Sequence, residues 1–207
     1  MILIGMLDSP YVRRCAVSFK LMGVPFEHRS LSVFRNFPEF GKINPVVKAP
    51  TFVADDGTVL MDSTLILDYV ESTLPPQKRL MPADIPSRLA ALRVIGVALA
   101  GVDKGVSVVY EMEQRPEDKR HKPWMDRTTG QMHAALGELE GIAVKAGAWM
   151  VGDRITAADV VTACMWRFLG LREYTAGSAA KYPALAALSQ RAEALPEFSS
   201  TPPAQIR

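Results

Sequence analysis

Residues 1–23 read MILIGMLDSPYVRRCAVSFKLMG, and the change of rhythm inside this stretch decides the fold. Met1 to Leu7 is an apolar run of strand length, and it ends in the turn cluster Asp8-Ser9-Pro10. From Pro10 to Met22 the spacing becomes helical, with Val12, Cys15, Ala16, Phe19 and Met22 on or near one face. Ser9 stands where an N-cap belongs, Pro10 at the first helical position and Gly23 just past the end. A strand delivered into a helix through a hydroxyl-bearing turn is the opening of an α/β unit.

Working outward, Pro25-Phe26 starts a second strand that runs to about Leu31, and Phe34 to Phe40 allows a short irregular helix. Thr51–Ala54 and Val59–Met61 flank the turn cluster Asp55-Asp56-Gly57-Thr58, which predicts an antiparallel hairpin. Asp62-Ser63 then caps a helix from about Thr64 to Ser72, stopped by Pro75-Pro76. The order is β-α-β-(α)-β-β-α. Pro75, Pro76, Pro82 and Pro86 crowd the stretch that follows, so a linker is placed at 77–86, between a domain at 1–76 and an all-helical domain at 87–207. The helical half predicts long helices from Ser87 to about Glu113 and from Pro123 to Lys145, and a last one from Pro183 to Ala194. Between them Thr156-Ala157-Ala158-Asp159 has capping-box form, with Asp159 in the place of the usual glutamate, and opens a helix to Leu169 that is apolar on most sides.

Composition narrows the function classes. The chain has 207 residues, 48% hydrophobic and 22% charged, which supplies a packed core and carries no signature of disorder. Lysine and arginine number 24 against 22 acids, and neither half is polarised, which argues against nucleic-acid or anionic-membrane binding. The longest stretch of the most apolar region, Val94 to Val102 between Arg93 and Asp103, is too short to span a bilayer. The start lacks the basic region of a signal peptide, and two cysteines, Cys15 and Cys164, form no disulfide framework, so a cytoplasmic, reducing location is expected. His28, His121 and His133 lack metal-ligand spacing, and neither a phosphate-binding glycine loop nor a serine-hydrolase elbow is present, so no metal is expected.

Three places carry the remaining chemistry. Ser9 at the start of the first helix is either a plain cap or a hydroxyl donor to an anion held there, because helix N-termini favour anions, thiolates included. Lowering a thiol from a pKa of about 8.5 by two units takes about 2.7 kcal/mol of preference for the anion. Pro50, opening the third strand after Val47-Lys48-Ala49, is either edge punctuation or a cis proline that leaves the Ala49 backbone for a peptide-like ligand. Asp62-Ser63 is either a second cap or a receptor for a ligand carboxylate.

In this order and spacing the three resemble the glutathione transferase superfamily. Ser9-Pro10-Tyr11-Val12 is similar to a glutaredoxin-type C-P-Y-C motif with both cysteines replaced, and Val47-Lys48-Ala49-Pro50 to the family's cis-proline motif. Asp62-Ser63 is similar to its acidic-serine γ-glutamyl motif, and Gly152 to Asp159 to its helical-domain capping box, with an S-P-x-x-R-R start like that of small bacterial members. The resemblance implies an α/β thioredoxin-like domain that binds glutathione and an all-α domain that walls a second, hydrophobic electrophilic substrate. It implies a transferase of the detoxification kind in which Ser9 faces the glutathione sulfur. Ala49 before Pro50 pairs with the cysteinyl part, Asp62 and Ser63 hold the γ-glutamyl end, Lys48 approaches the glycyl carboxylate and Phe34 borders the site. It also implies a homodimer built on the long helix, whose small residues are Gly96, Ala98, Ala100, Gly101 and Gly105, with Asp103 reaching the ammonium of glutathione in the other subunit. With no cysteine at 9 or 12, dithiol redox chemistry is excluded. Tyr11 is the competing hydroxyl, Cys15 reads as a buried structural thiol, and Arg13-Arg14 as a solvated face or a subunit salt bridge. Two alternatives share the scaffold: a regulatory protein acting through protein partners, and a glutathione-dependent isomerase or dehalogenase.

Overall fold

The structure, a computed structural model, describes residues 1–172 and 179–203. The stretch 87–207 expected as one helical domain therefore includes residues 173–178 and 204–207, which lie outside the described residues. The chain divides into two compact units, Met1–Met81 with Glu193–Arg207, and Pro82–Ala192.

In the first unit the elements run β1 (Ile2–Ile4), α1 (Pro10–Leu21), β2 (Glu27–Arg29), α2 (Phe37–Ile43), β3 (Thr51–Val53), β4 (Val59–Met61) and α3 (Ser63–Ser72). The sheet order is β2-β1-β3-β4; β1 runs parallel to β2 and antiparallel to β3, and β3 and β4 form the hairpin. β1, β2 and β3 are shorter than the runs that announce them, while β4 matches its own. β1 stops at Ile4 because Gly5, at φ +137°, turns the chain where a side chain has no room: a Cβ there would stand 2.6 Å from Val12 Cγ2. α2 starts later than the Phe34–Phe40 pattern suggests because Ser32 and Asn36 hold the segment before it in turns. Ser32 Oγ accepts from the Phe34 and Arg35 N–H groups (3.2 Å each), and Asn36 Oδ1 accepts from the Ser32 N–H (3.1 Å).

α1 forms where the periodicity puts it. It ends in a Schellman motif: the Val24 N–H donates to Phe19 O and the Gly23 N–H to Lys20 O, with Gly23 at φ +69°. The core of this unit is built on Leu3, Ile4, Val12, Phe19, Phe52, Ile66 and Val70, with Phe19 edge-on to Phe26 and Phe52 at centroid distances of 5.2 and 5.8 Å.

The C-terminal segment from Glu193, with the short helix α8 (Pro196–Ser199; α4 to α7 are given below), groups with the first unit rather than with the helices before it. The cause is Arg13, buried at 1% exposure. Its guanidinium donates to both Glu193 carboxylate oxygens (2.6 and 2.7 Å), to Thr201 O (2.8 Å) and to Phe198 O (3.3 Å), and it lies over the Phe198 ring.

The second unit is helical: α4 (Ile85–Glu113), α5 (Lys122–Ala143), α6 (Ala157–Gly170) and α7 (Pro183–Glu193). By length and composition alone α4 is apolar enough to cross a membrane, which corrects the limit drawn from Val94–Val102; small residues extend its apolar character beyond that run. One face of it is packed in the unit's own core through Ala91, Val94, Ala98, Val102 and Val109. Gly101 and Gly105 serve that packing, since an added Cβ would meet Ala135 Cβ of α5 at 2.9 Å and Leu169 Cδ2 of α6 at 2.3 Å. α6 is buried almost throughout, as its pattern predicts.

Candidate functional site

The sheet register gathers the sequence-predicted residues of the first unit. Ile4 pairs with Thr51 and Thr51 with Met61, so three strand ends line up across β1, β3 and β4. Ser9 follows the first of these ends, Pro50 precedes the second, and Asp62-Ser63 follows the third. Arg29, opposite Ile4 on β2, feeds the segment that carries Phe34 at the same end of the sheet. Residues up to 54 positions apart in sequence, Ser9 and Ser63, thus come to one end of the sheet because β3 runs antiparallel to both its neighbours.

Ser9 is the N-cap of α1, at φ −69° and ψ 123°, and is half-buried. Its Oγ accepts from the Val12 N–H at 3.4 Å, longer than an ordinary N–H···O bond. The hydroxyl proton is not used in that contact, and Pro10 brings no N–H to compete at the first helical position. The segment before it is fixed by the Ser9 N–H donating to Met6 O (3.1 Å) and by His28 Nε2 against Gly5 O (2.8 Å).

The Ala49–Pro50 peptide bond is cis. Ala49 Cβ lies 3.1 Å from where a Cβ on Gly5 would stand, which seats the cis-proline loop against the end of β1 and the first turn of α1. The loop is held by Thr51 Oγ1, which donates to Lys48 O (2.7 Å) and accepts from Asn44 Nδ2 (2.8 Å). Among the described residues, no backbone hydrogen bond uses the Ala49 N–H or C=O.

Asp62 caps α3 at φ +73°, a conformation that residues other than glycine rarely adopt, and its Oδ1 accepts from the Thr64 N–H (2.8 Å). Lys48 Nζ stands 3.9 Å from Asp62 Oδ2. Both side chains are exposed, so the pair is weak, but it places Lys48 beside the Asp62-Ser63 corner. Ser63 is buried at 3% exposure, while Phe34 is open at 52%. Cys15 is fully buried, its Sγ 3.8 Å from Ser63 O, as a structural thiol would be.

Two features escape the sequence pattern. Arg13 and Arg14 are neither a solvated face nor free for a subunit contact: both are buried, because each finds polar partners inside the unit. Arg14 Nη1 donates to Ser63 Oγ (3.2 Å) and Thr64 Oγ1 (3.3 Å), so a guanidinium lies beneath the α3 corner. The only sequence signal for it is its place one helical turn beyond Pro10.

Asp103 lies in the other unit, on α4, with an exposed carboxylate 3.6 Å from Lys104 Nζ. The exposed Ile85, Leu89 and Leu92, then Gly96, precede it at helical spacing on one stripe. Among the described residues, no group of three or more histidine, cysteine or acidic side chains is arranged to hold a metal ion.

Known proteins resemble this chain in sequence and fold. Residues 3–78 match the family model of the glutathione S-transferase N-terminal domain, and residues 122–191 that of the C-terminal domain. A glutathione S-transferase from Methylobacterium radiotolerans, solved with glutathione sulfonate, is 30% identical; the match covers 100% of this chain and 96% of that one, with a TM-score of 0.90. One from Methylobacillus flagellatus with glutathione bound is 25% identical, covering 98% of each chain at a TM-score of 0.88. An uncharacterised GST-like protein of Escherichia coli is 25% identical, over 97% of this chain and 98% of its own. From the two-part match, the full-length likeness and the thioredoxin-like sheet with its cis proline, this chain belongs to the glutathione S-transferase superfamily.

Proposed function

We propose that this chain is a glutathione S-transferase that binds glutathione at the aligned ends of β1, β3 and β4 and presents it as a thiolate to a hydrophobic electrophile. The observation that carries the reading is the sheet register, which brings Ser9, Ala49-Pro50 and Asp62-Ser63 to one end of the sheet. Ser9 donates its hydroxyl proton to the glutathione sulfur, and the start of α1 adds its partial positive charge. Ala49 pairs through its backbone with the cysteinyl residue. Ser63 and the start of α3 take the γ-glutamyl carboxylate, and Asp62 takes the ammonium. Lys48, beside Asp62, serves the rim of this corner, and Phe34 offers an apolar border. The thiol proton leaves to solvent, the sulfur lone pair forms the bond to carbon, and the electrophile accepts the displaced electron pair. Catalysis comes from stabilising and positioning the thiolate.

The open stripe of α4 supports a homodimer in which Ile85, Leu89 and Leu92 are covered by a second copy, with Asp103 on the same stripe beside the partner's ligand. The buried free thiols Cys15 and Cys164 fit a reducing, cytoplasmic setting. Calorimetric titration with glutathione at neutral pH, paired with ultraviolet difference spectra, tests the reading. Binding with a thiolate band supports it. Absence of binding at millimolar glutathione overturns it in favour of a scaffold that acts through protein partners.

A further inference from the structure

We propose that Arg14 is a positioning residue for the carboxylate-binding corner, acting on the ligand through Ser63; this rests on the glutathione-binding reading above. Arg14 is 97% buried, and its Nη1 donates to Ser63 Oγ at 3.2 Å and to Thr64 Oγ1 at 3.3 Å. A hydroxyl has one proton to give and two lone pairs to receive with. Because the guanidinium has only protons to offer, Ser63 Oγ meets it as an acceptor, and the hydroxyl proton turns away from the arginine. The buried cation therefore fixes which way the serine donates. It also strengthens that donation, since an oxygen polarised by a charge in a weakly screened setting is a better donor to an anion.

The corner has a second determinant of direction. Asp62 is itself an anion whose Oδ1 accepts from the Thr64 N–H, so a ligand carboxylate turns to the hydroxyls held by Arg14, of which Ser63 Oγ is the closer to the guanidinium. Arg14 reaches that carboxylate through Ser63, and its burial beneath the corner keeps it from capturing ligand or bulk anions directly. Its neighbour Arg13 points to the C-terminal segment instead, so adjacent guanidinium groups on α1 do separate work. The assignment makes Arg14 a determinant of selectivity for ligands that carry the γ-glutamyl α-carboxylate.

The test compares two ligands on wild type, Arg14→Met, Arg14→Lys, Ser63→Ala and the double variant Arg14→Met/Ser63→Ala. One ligand is glutathione; the other is its analogue with γ-aminobutyrate in place of γ-glutamate, which lacks only the α-carboxylate. Expected is at least a tenfold loss of glutathione affinity in Arg14→Met with less than a twofold change for the analogue, and no further loss in the double variant beyond Ser63→Ala. Arg14→Lys, which keeps the charge, restores part of the discrimination and stands in should Arg14→Met fail to fold, as judged by circular dichroism. Equal weakening of both ligands assigns Arg14 a purely structural role and overturns the proposal, as does glutathione affinity unchanged in Arg14→Met. Wild type that binds neither ligand rejects the glutathione reading itself, a result distinct from either of those.

Discussion

Two helices in this molecule begin the same way on paper. α1 opens with Ser9 and α6 with Thr156, each a hydroxyl residue before an apolar periodic run, yet their N-termini have opposite chemistry. At α6 every acceptor is engaged. Asp159, fully buried, takes the Met150 N–H on Oδ1 (2.6 Å) and the Thr156 N–H and hydroxyl on Oδ2 (2.8 Å each), closing the capping box. Burial pushes the Asp159 carboxyl above its ordinary value, against the pull of the donors around it. At α1 there is no acid in the first turn, and the serine oxygen receives one long bond and keeps its proton. A closed N-terminus is a structural clamp; an open one has donor capacity left for a ligand. The same kind of cap serves both ends, and what differs is whether the next turn supplies the anion.

The largest expected effect breaks the closed end. Asp159→Ala leaves the Met150 and Thr156 N–H groups buried without their acceptor, and should lower stability by about 3 kcal/mol. Thermal or urea denaturation measures it, and a loss below the ~1 kcal/mol of a simple cap would deny the distinction. At the open end the pattern inverts. Ser9→Ala should lower transferase turnover about tenfold, roughly 1.4 kcal/mol of barrier, while stability falls by no more than about 1 kcal/mol. Turnover that survives the substitution would shift the sulfur contact to Tyr11.

α4 repeats the contrast on a single helix. Its Gly101–Gly105 face is sealed against α5 and α6, while the stripe of Ile85, Leu89, Leu92 and Asp103 is open. Asp103→Asn should weaken glutathione binding by about 0.5 kcal/mol, roughly twofold, as the loss of an exposed charge does. Titration of a dimer confirmed by sedimentation reads it, and unchanged affinity removes Asp103 from the site.

How far the sequence reveals all this follows the range of the interactions. α1 is legible from end to end because its cap, its proline and its Schellman glycine lie within a few residues of one another. The hairpin and the α3 cap are legible for the same reason. Arg13 and Arg14 mislead because adjacent charges ordinarily face water, and what buries Arg13 is Thr201, 188 positions away. The glycines of α4 are legible only in part. Small residues announce a close approach without naming the partner: for Gly101 and Gly105 it is α5 and α6, while Gly96 stays on the open stripe. Of the candidate site, the turns and caps that carry Ser9, Pro50 and Asp62-Ser63 are readable, but Arg14 beneath Ser63 is a contact across 49 positions that no local pattern encodes.

The smallest effect expected lies in the helical unit, where polar groups close on one another. His133 Nδ1 and the Tyr182 hydroxyl are 3.0 Å apart with their rings stacked, and Trp166 meets Tyr182 edge-on. Burial, and then the nearby Lys181 charge, hold the His133 imidazolium below its ordinary pKa. The sign follows from which state holds the proton more tightly. Above the unfolded value of about 6.5 the ring is neutral in both states and its contribution to stability is complete. As the pH falls through the lowered folded value, the unfolded chain binds the proton first and that contribution is lost. Wild type should therefore lose slightly more thermal stability between pH 7 and pH 5 than His133→Gln does. Nuclear magnetic resonance should place the His133 midpoint below that of an unfolded peptide. Lys181→Met should raise that midpoint, because it removes the cation and leaves the burial. A midpoint unmoved by Lys181→Met would leave burial as the whole cause, and one at or above the unfolded value would mean that His133 belongs with the open groups of the molecule.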